Sequence, residues 1–269
     1  MTANPGHPAV GPASDPAVGP ASSPAVDPAL DPAVEVRGLE VRYGEIVALR
    51  DAHLVVGRGR VCGLVGMNGA GKTSLLRSVL GLARPASGVV RVDGAPPAAA
   101  RRAGTVAYVP QSEDVDWDFP LGVLDVVSTG RYARQGFLRR PRAGDREAVA
   151  SALERVGLAG LAQRQIGALS GGQRKRAFVA RAIAQDARLL LLDEPFAGVD
   201  TATQEDLTAL LRELAASGAT VLVSTHDLES VPALCDEVAL VAGTVVDHGT
   251  PERLLEPVSL ARAFGRAVA

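Results

Sequence analysis

The sequence predicts an α/β fold built on a mainly parallel sheet, and three observations carry that prediction. Leu189-Leu190-Leu191-Leu192 and Thr220-Val221-Leu222-Val223-Ser224 are short apolar runs, as central parallel strands covered on both faces require. Between them Leu207, Leu210, Leu211 and Leu214 recur at i, i+3, i+4 and i+7, an amphipathic helix ending before Gly218. The third observation is a strand, a Gly-rich turn and a helix in succession: Val61–Val65, Gly66–Thr73 and Ser74–Leu80. Strands that alternate with helices pair in parallel.

Composition sets the outer limits. The 269 residues suffice for one large domain or two small ones, and 47% hydrophobic with 22% charged residues suits a substantial core. A formal net charge of −2 proposes no nucleic-acid surface, and 3% aromatics argue against base-stacking platforms. Cys62 and Cys235 lie far apart and read as reduced core thiols of a cytoplasmic protein. No apolar run approaches the length of a membrane span, and the N-terminus lacks the charged start and apolar stretch of a secretion signal. Any membrane association is therefore expected to come through another protein.

Taken in order, residues 1–33 form a low-complexity leader with Pro-Ala-Val units beginning at Pro8, Pro16, Pro24 and Pro32. Its prolines remove donors and its alanines bury little, so an extended, disordered segment is expected. Folded sequence begins near Val34, where Val34, Val36, Leu39 and Val41 are split by polar residues as in half-buried strands. Tyr43 ends such a strand; it is either an edge-strand tyrosine or an aromatic that stacks on an adenine ring. Ser87–Gly94 reads as turn, strand and turn, and Thr105–Gln111 as a strand stopped by Pro110. Residues 112 to about 167 change character. Acidic and aromatic residues come first (Glu113–Pro120), then a basic loop from Arg131 to Arg142 read as a solvated surface. A helix follows, with Val149, Leu153 and Val156 on one face and Gly157 as its stop. Strands near Val238–Val241 and Thr244–Val246 and a helix near Pro251–Leu255 precede a tail at 257–269.

The chemistry starts at Gly66-Met67-Asn68-Gly69-Ala70-Gly71-Lys72-Thr73, which fits G-x-x-x-x-G-K-[ST]. The glycines let backbone N–H groups face phosphate oxygens, and the helix N-terminus adds its dipole. Lys72 would reach the β- and γ-phosphates and the Thr73 hydroxyl would bind Mg²⁺. Among 28 basic residues only Lys72 and Lys175 are lysines, and a slim point charge suits a closed loop better than a planar guanidinium. Asp193 and Glu194 end an apolar strand, the place where open α/β sheets hold ligands. The first can hold Mg²⁺, and the second can orient or deprotonate an attacking water. Leu169-Ser170-Gly171-Gly172-Gln173 precedes an Arg- and Ala-rich helix, with Ser170 as a plausible N-cap and the glycines exposing N–H groups. That is a second phosphate-binding surface beside a single phosphate loop, and the two need not meet within one monomer.

With Gln111, Asp200 and His226, these residues resemble the nucleotide-binding subunit of an ABC transporter over roughly residues 34–256. Seven elements occur in the family's order. Tyr43 matches the adenine-stacking aromatic, and Gly66–Thr73, with Ser74 after it, the Walker A loop. Gln111 matches the Q-loop and Leu169–Gln173 the signature. Leu189–Glu194 matches Walker B with its catalytic glutamate, and Ala197–Asp200 the D-loop, where many relatives differ at Gly198. Ser224–Asp227 supplies the switch histidine, His226. The resemblance implies a P-loop NTPase (RecA-like) core with an N-terminal antiparallel β subdomain and a helical insertion that presses on a permease. It implies ATP and Mg²⁺ as ligands, Gln111 sensing both metal and permease, and ATP sandwiched in a head-to-tail homodimer.

The resemblance also implies an integral-membrane permease, an extracytoplasmic solute-binding protein, and a place at the cytoplasmic face of the cell membrane. Val109-Pro110-Gln111, Val115–Pro120, Gly130-Arg131-Tyr132 and Arg139-Arg140-Pro141 resemble importers of manganese, zinc or iron chelates. Two other readings remain, the ATPase of a drug or lipid exporter and a soluble regulatory ABC-type scaffold. The histidines and cysteines show no usual ligand spacing, so no structural metal is proposed beyond Mg²⁺.

Overall fold

A computed structural model describes residues 32–111, 120–135 and 140–265. The Pro-Ala-Val leader up to residue 31 and the acidic and aromatic stretch up to Phe119 lie outside these residues, as do Arg139 and residues 266–269.

In chain order the elements are β1 (Pro32–Tyr43), β2 (Ile46–Gly57), β3 (Val61–Val65), α1 (Lys72–Val79), β4 (Ser87–Val92), α2 (Pro97–Arg102) and β5 (Val106–Val109). Next come α3 (Val123–Ser128), α4 (Ala143–Arg155), α5 (Gly171–Gln185), β6 (Leu189–Asp193), α6 (Thr201–Ala216) and β7 (Thr220–Thr225). The chain continues through α7 (Val231–Leu234), β8 (Glu237–Val241), β9 (Val245–Gly249), α8 (Pro251–Leu254) and α9 (Pro257–Phe264).

The strands divide into two sheets. β2-β1-β4 is antiparallel, and the other sheet has the order β5-β6-β7-β3-β8-β9, parallel except for β9. The all-Leu run of β6 is buried on both faces. Leu189 and Leu191 pack toward α1 and the antiparallel sheet, while Leu190 and Leu192 join a second core with α4, α5 and α6. Leu207, Leu210, Leu211 and Leu214 of α6 all enter that second core.

Three readings change. The folded chain starts two residues before Val34, because Pro32 already pairs with Gly57 and Ala33 is buried. A proline at the first strand position forfeits no ladder bond. The segment 257–264, read as tail, is the helix α9. The basic loop is not simply solvated. Thr129–Arg134 is a 3₁₀ helix, and Arg131 is turned inward, with Nε 2.9 Å from Asp145 Oδ1 and Nη1 donating to Ala184 O at 2.8 Å. Asp145 is buried because it also accepts from Arg142 N at the start of α4, and a buried carboxylate needs a cation. Hydrogen bonds from the Arg142 backbone and from Arg131 hold its carboxyl below the usual range.

Candidate nucleotide site

Four neighbouring strands, β5-β6-β7-β3, deliver the candidate residues at their C-terminal ends. β5 leads to Gln111, β6 ends in Asp193 and Glu194, β7 leads to His226, and β3 runs into Gly66–Thr73. Convergence at one sheet edge follows from the parallel register and needs no adjacency in sequence.

The phosphate loop is shaped by contacts that only glycine permits. A Cβ on Gly66 would lie 2.3 Å from Val241 O, and one on Gly71 would lie 2.7 Å from Ala48 O. Gly69 and Gly71 have φ of 80° and 100°, the left-handed region that glycine enters without penalty. Gly243 N donates to Ala70 O, stitching the loop to the turn after β8. Lys72 is buried and donates to Gly66 O at 2.7 Å and Met67 O at 3.2 Å. The first-turn N–H groups of α1 have no acceptor inside the helix and face outward at the loop. A narrow cradle of backbone donors around an ammonium group fits a polyphosphate.

Glu194 is the hub. Its Oε2 lies 2.9 Å from His226 Nδ1 and accepts from Gln111 Nε2 at 3.4 Å, and its Oε1 lies 3.5 Å from Lys72 Nζ. The side chain is 7% exposed, whereas that of His226 is 58% exposed and reaches the site from its rim. Glu194 has φ of 49°, unusual for a residue with a side chain and costing on the order of 1–3 kcal/mol. Four bonds hold that conformation: Glu194 N donates to Ser224 Oγ at 2.9 Å and to Ser224 O at 3.2 Å, and Glu194 O accepts from Lys175 Nζ at 3.0 Å and from Ala197 N at 3.2 Å.

Asp193 is fixed just as tightly. Its Oδ1 accepts from Ser224 Oγ at 2.5 Å and its Oδ2 from Tyr108 OH at 3.3 Å. Burial, and then the Asp193 charge, push the Tyr108 phenol up to about 12, so it remains a donor. With both oxygens aimed by hydroxyls, Asp193 and Thr73 supply hard oxygen donors suited to Mg²⁺.

The signature residues stand apart. Ser170 caps α5 by accepting from Gln173 N at 3.2 Å, and Gln173 Oε1 accepts in return from Ser170 N at 3.0 Å. A Cβ on Gly171 would lie 3.8 Å from Gly198 O, and one on Gly172 would lie 3.0 Å from Thr203 Cγ2, so this turn abuts the start of α6. Asp200 caps α6 through Thr203 N at 2.9 Å and Thr203 Oγ1 at 2.8 Å. Those two bonds hold its carboxyl below the usual range. Among the described residues, no hydrogen bond or ion pair joins Ser170–Gln173 to Gly66–Ser74. Tyr43 closes the β1–β2 hairpin and is 46% exposed, placed where it can stack on a planar ligand.

Tyr108, Ser224 and Lys175 were not among the predicted site residues. Ser224 and Tyr108 carried a signal, since a hydroxyl inside a buried strand must find a partner. Lys175 had only its rarity.

Fold and site together define a P-loop nucleotide-binding α/β protein. The sequence profile of the ABC transporter family matches residues 49–197. The chelated iron transport protein YfeB of Yersinia pestis is 49% identical over 218 residues, which is 81% of this chain and 74% of the relative. The manganese transport ATP-binding protein MntA of a Synechocystis species is 45% identical, over 86% of this chain and 89% of its own. The zinc transport ATP-binding protein TroB of Treponema pallidum is 42% identical, over 86% of each chain. A metal-chelate type ABC transporter solved in an inward-facing conformation superposes with a TM-score of 0.76 at 30% identity, covering 88% of this chain and 90% of that one. This chain belongs to the ABC transporter family and is an ATPase of that family. Among the described residues, no helix is long and apolar enough to cross a membrane.

Proposed function

We propose that this chain is the ATP-hydrolysing subunit of an importer for a transition-metal ion, whether manganese, zinc or an iron chelate. In this reading it works as a head-to-tail homodimer at the cytoplasmic face of the membrane, beneath an integral-membrane permease fed by an extracytoplasmic solute-binding protein. The observation that carries the chemistry is the meeting of Lys72, Gln111 and His226 on Glu194.

Each side chain then has a defined task. Tyr43 stacks on the adenine, and the N–H groups of Gly66, Asn68, Gly69, Ala70, Gly71, Lys72, Thr73 and Ser74 cradle the phosphates. Lys72 turns from the loop carbonyls to the β- and γ-phosphate oxygens. Thr73, Asp193 and Gln111 would hold Mg²⁺, which when bound would supply positive charge to neutralise the phosphates. Glu194 accepts the proton of the attacking water, and His226 and Gln111 orient that water and the γ-phosphate. Ser170, Gly171, Gly172 and Gln173 of the partner cover the other side of the nucleotide, and Asp200 lines the seam. Their separation from the phosphate loop within one chain supports the paired arrangement.

The metal assignment rests on what the relatives are named for and on the metal-chelate transporter that shares the fold. The test is capture of the permease with tagged Glu194→Gln protein from solubilised native membranes. Wild-type protein and that permease are then reconstituted in vesicles with the solute-binding protein. ATP-dependent uptake of radioactive Mn²⁺, Zn²⁺ or an iron chelate is expected, and uptake should be lost with Glu194→Gln. Capture of soluble partners alone, or ATP-driven efflux of a lipid or drug, would overturn the proposal.

A further inference from the structure

Away from the nucleotide, three metal-ligating side chains of different kinds meet where β3, β8 and β9 lie side by side. Cys62, Glu237 and His248 each place one ligand atom within 4.8 Å of the others. Sheet register brings this about. Cys62 stands opposite Glu237 in the parallel β3–β8 pair, and Ala239 stands opposite His248 in the antiparallel β8–β9 pair. Glu237 and Ala239 are two residues apart and share a face, so all three side chains lie on one side of the sheet. Cys62 and Glu237 lie near the N-terminal ends of β3 and β8, at the opposite end of the sheet from the phosphate loop.

The cluster is enclosed and incompletely satisfied. Cys62 is fully buried, and the Glu237 and His248 side chains are 14% and 12% exposed. His248 Nε2 lies 3.3 Å from Glu237 Oε2, yet neither it nor Glu237 Oε1 has a hydrogen-bond partner, and both atoms are shut off from solvent. Orphaned buried polar atoms are uncommon in folded proteins and call for a cause.

We propose that Cys62, Glu237 and His248 bind a divalent transition metal of the zinc class, at a site separate from Mg²⁺–ATP. One thiolate, one imidazole and one carboxylate form a donor set for zinc or a similar borderline ion, whereas Mg²⁺ takes oxygen ligands. The size fits. Three atoms no more than 4.8 Å apart all lie within about 2.8 Å of a common centre, against bonds of about 2.0–2.3 Å. Closing that gap takes an inward movement of at most about 0.5–0.8 Å. Without metal, Cys62 is a free, buried thiol. On binding, the S–H bond breaks, an S–metal bond forms and the proton passes to solvent; His248 coordinates as the neutral imidazole. The metal clips β9 and β8 to β3, the strand that runs directly into Gly66. None of this depends on which solute the transporter carries.

The test uses the full chain, stripped with a chelator and titrated with Co²⁺, then Zn²⁺. One equivalent of Co²⁺ is expected to give a thiolate-to-metal charge-transfer band and the visible bands of a four-coordinate ion, both abolished by Zn²⁺. Cys62→Ser should lose the charge-transfer band, and His248→Ala should weaken Co²⁺ binding at least about tenfold. His53, on β2 and outside the cluster, changed to Ala, should alter neither. Absence of the band in wild type, its survival in Cys62→Ser, or unchanged affinity in His248→Ala would overturn the proposal. If Cys62→Ser fails to fold, the His248→Ala titration decides alone.

Discussion

Glu194 shows how one residue is prepared by its neighbours. Its left-handed backbone is held between Ser224 and Lys175 while its carboxylate faces Lys72, Gln111 and His226. The two lysines of the chain thus meet the same glutamate, Lys72 at the carboxylate and Lys175 at the carbonyl. Lys72→Ala is expected to abolish productive nucleotide binding or turnover, read by a fluorescent ATP analogue and by phosphate release. Lys175→Met should lower kcat several-fold with little change in KM, because it loosens the aim of Glu194 and leaves the phosphate cradle intact; Lys175→Arg should recover part of the loss. A steady-state rate series checks both. Asp193 and Glu194 were legible because they end an apolar run. The Tyr108, Ser224 and Lys175 contacts were not, since they span 85, 31 and 19 residues and exist only after the sheet has formed.

Among the elements, those with a strong period were legible. β6 and β7 are buried on both faces and read as unbroken apolar runs, and α6 presents four leucines to the core on a 3.6-residue repeat. Leu211→Ala in α6 removes a fully buried side chain and should cost about 2–5 kcal/mol, seen as a lower urea midpoint at unchanged slope. β2 escaped notice because its alternation is broken. Asp51 adopts φ of 46°, and the β1–β2 register shifts between Leu39 and Val41. In α9 the proline start is visible, and Leu260, Ala263 and Phe264 pack on the core at i, i+3 and i+4, but Val258 is 78% exposed and the helix is too short for its period to stand out. Cys62, Glu237 and His248 were illegible for a related reason, because strand pairing and not sequence spacing brings them together.

At the scale of the molecule, the proposed function pairs two surfaces of one chain with those of a second copy. The phosphate loop lies at the end of β3, and the signature turn rests against the start of α6. The sequence already suggests this pairing, since it offers two candidate phosphate-binding surfaces and a single phosphate loop. The strand begins at Pro32, so removal of residues 1–31 should leave ATP turnover unchanged within about twofold, measured on the purified protein. The most direct test of the account is sedimentation of Glu194→Gln protein with Mg²⁺ and either ATP or ADP, with bound nucleotide measured in the same fractions. A dimer holding two ATP, reverting to monomer with ADP, is the result the account predicts. A monomer with ATP bound would contradict it.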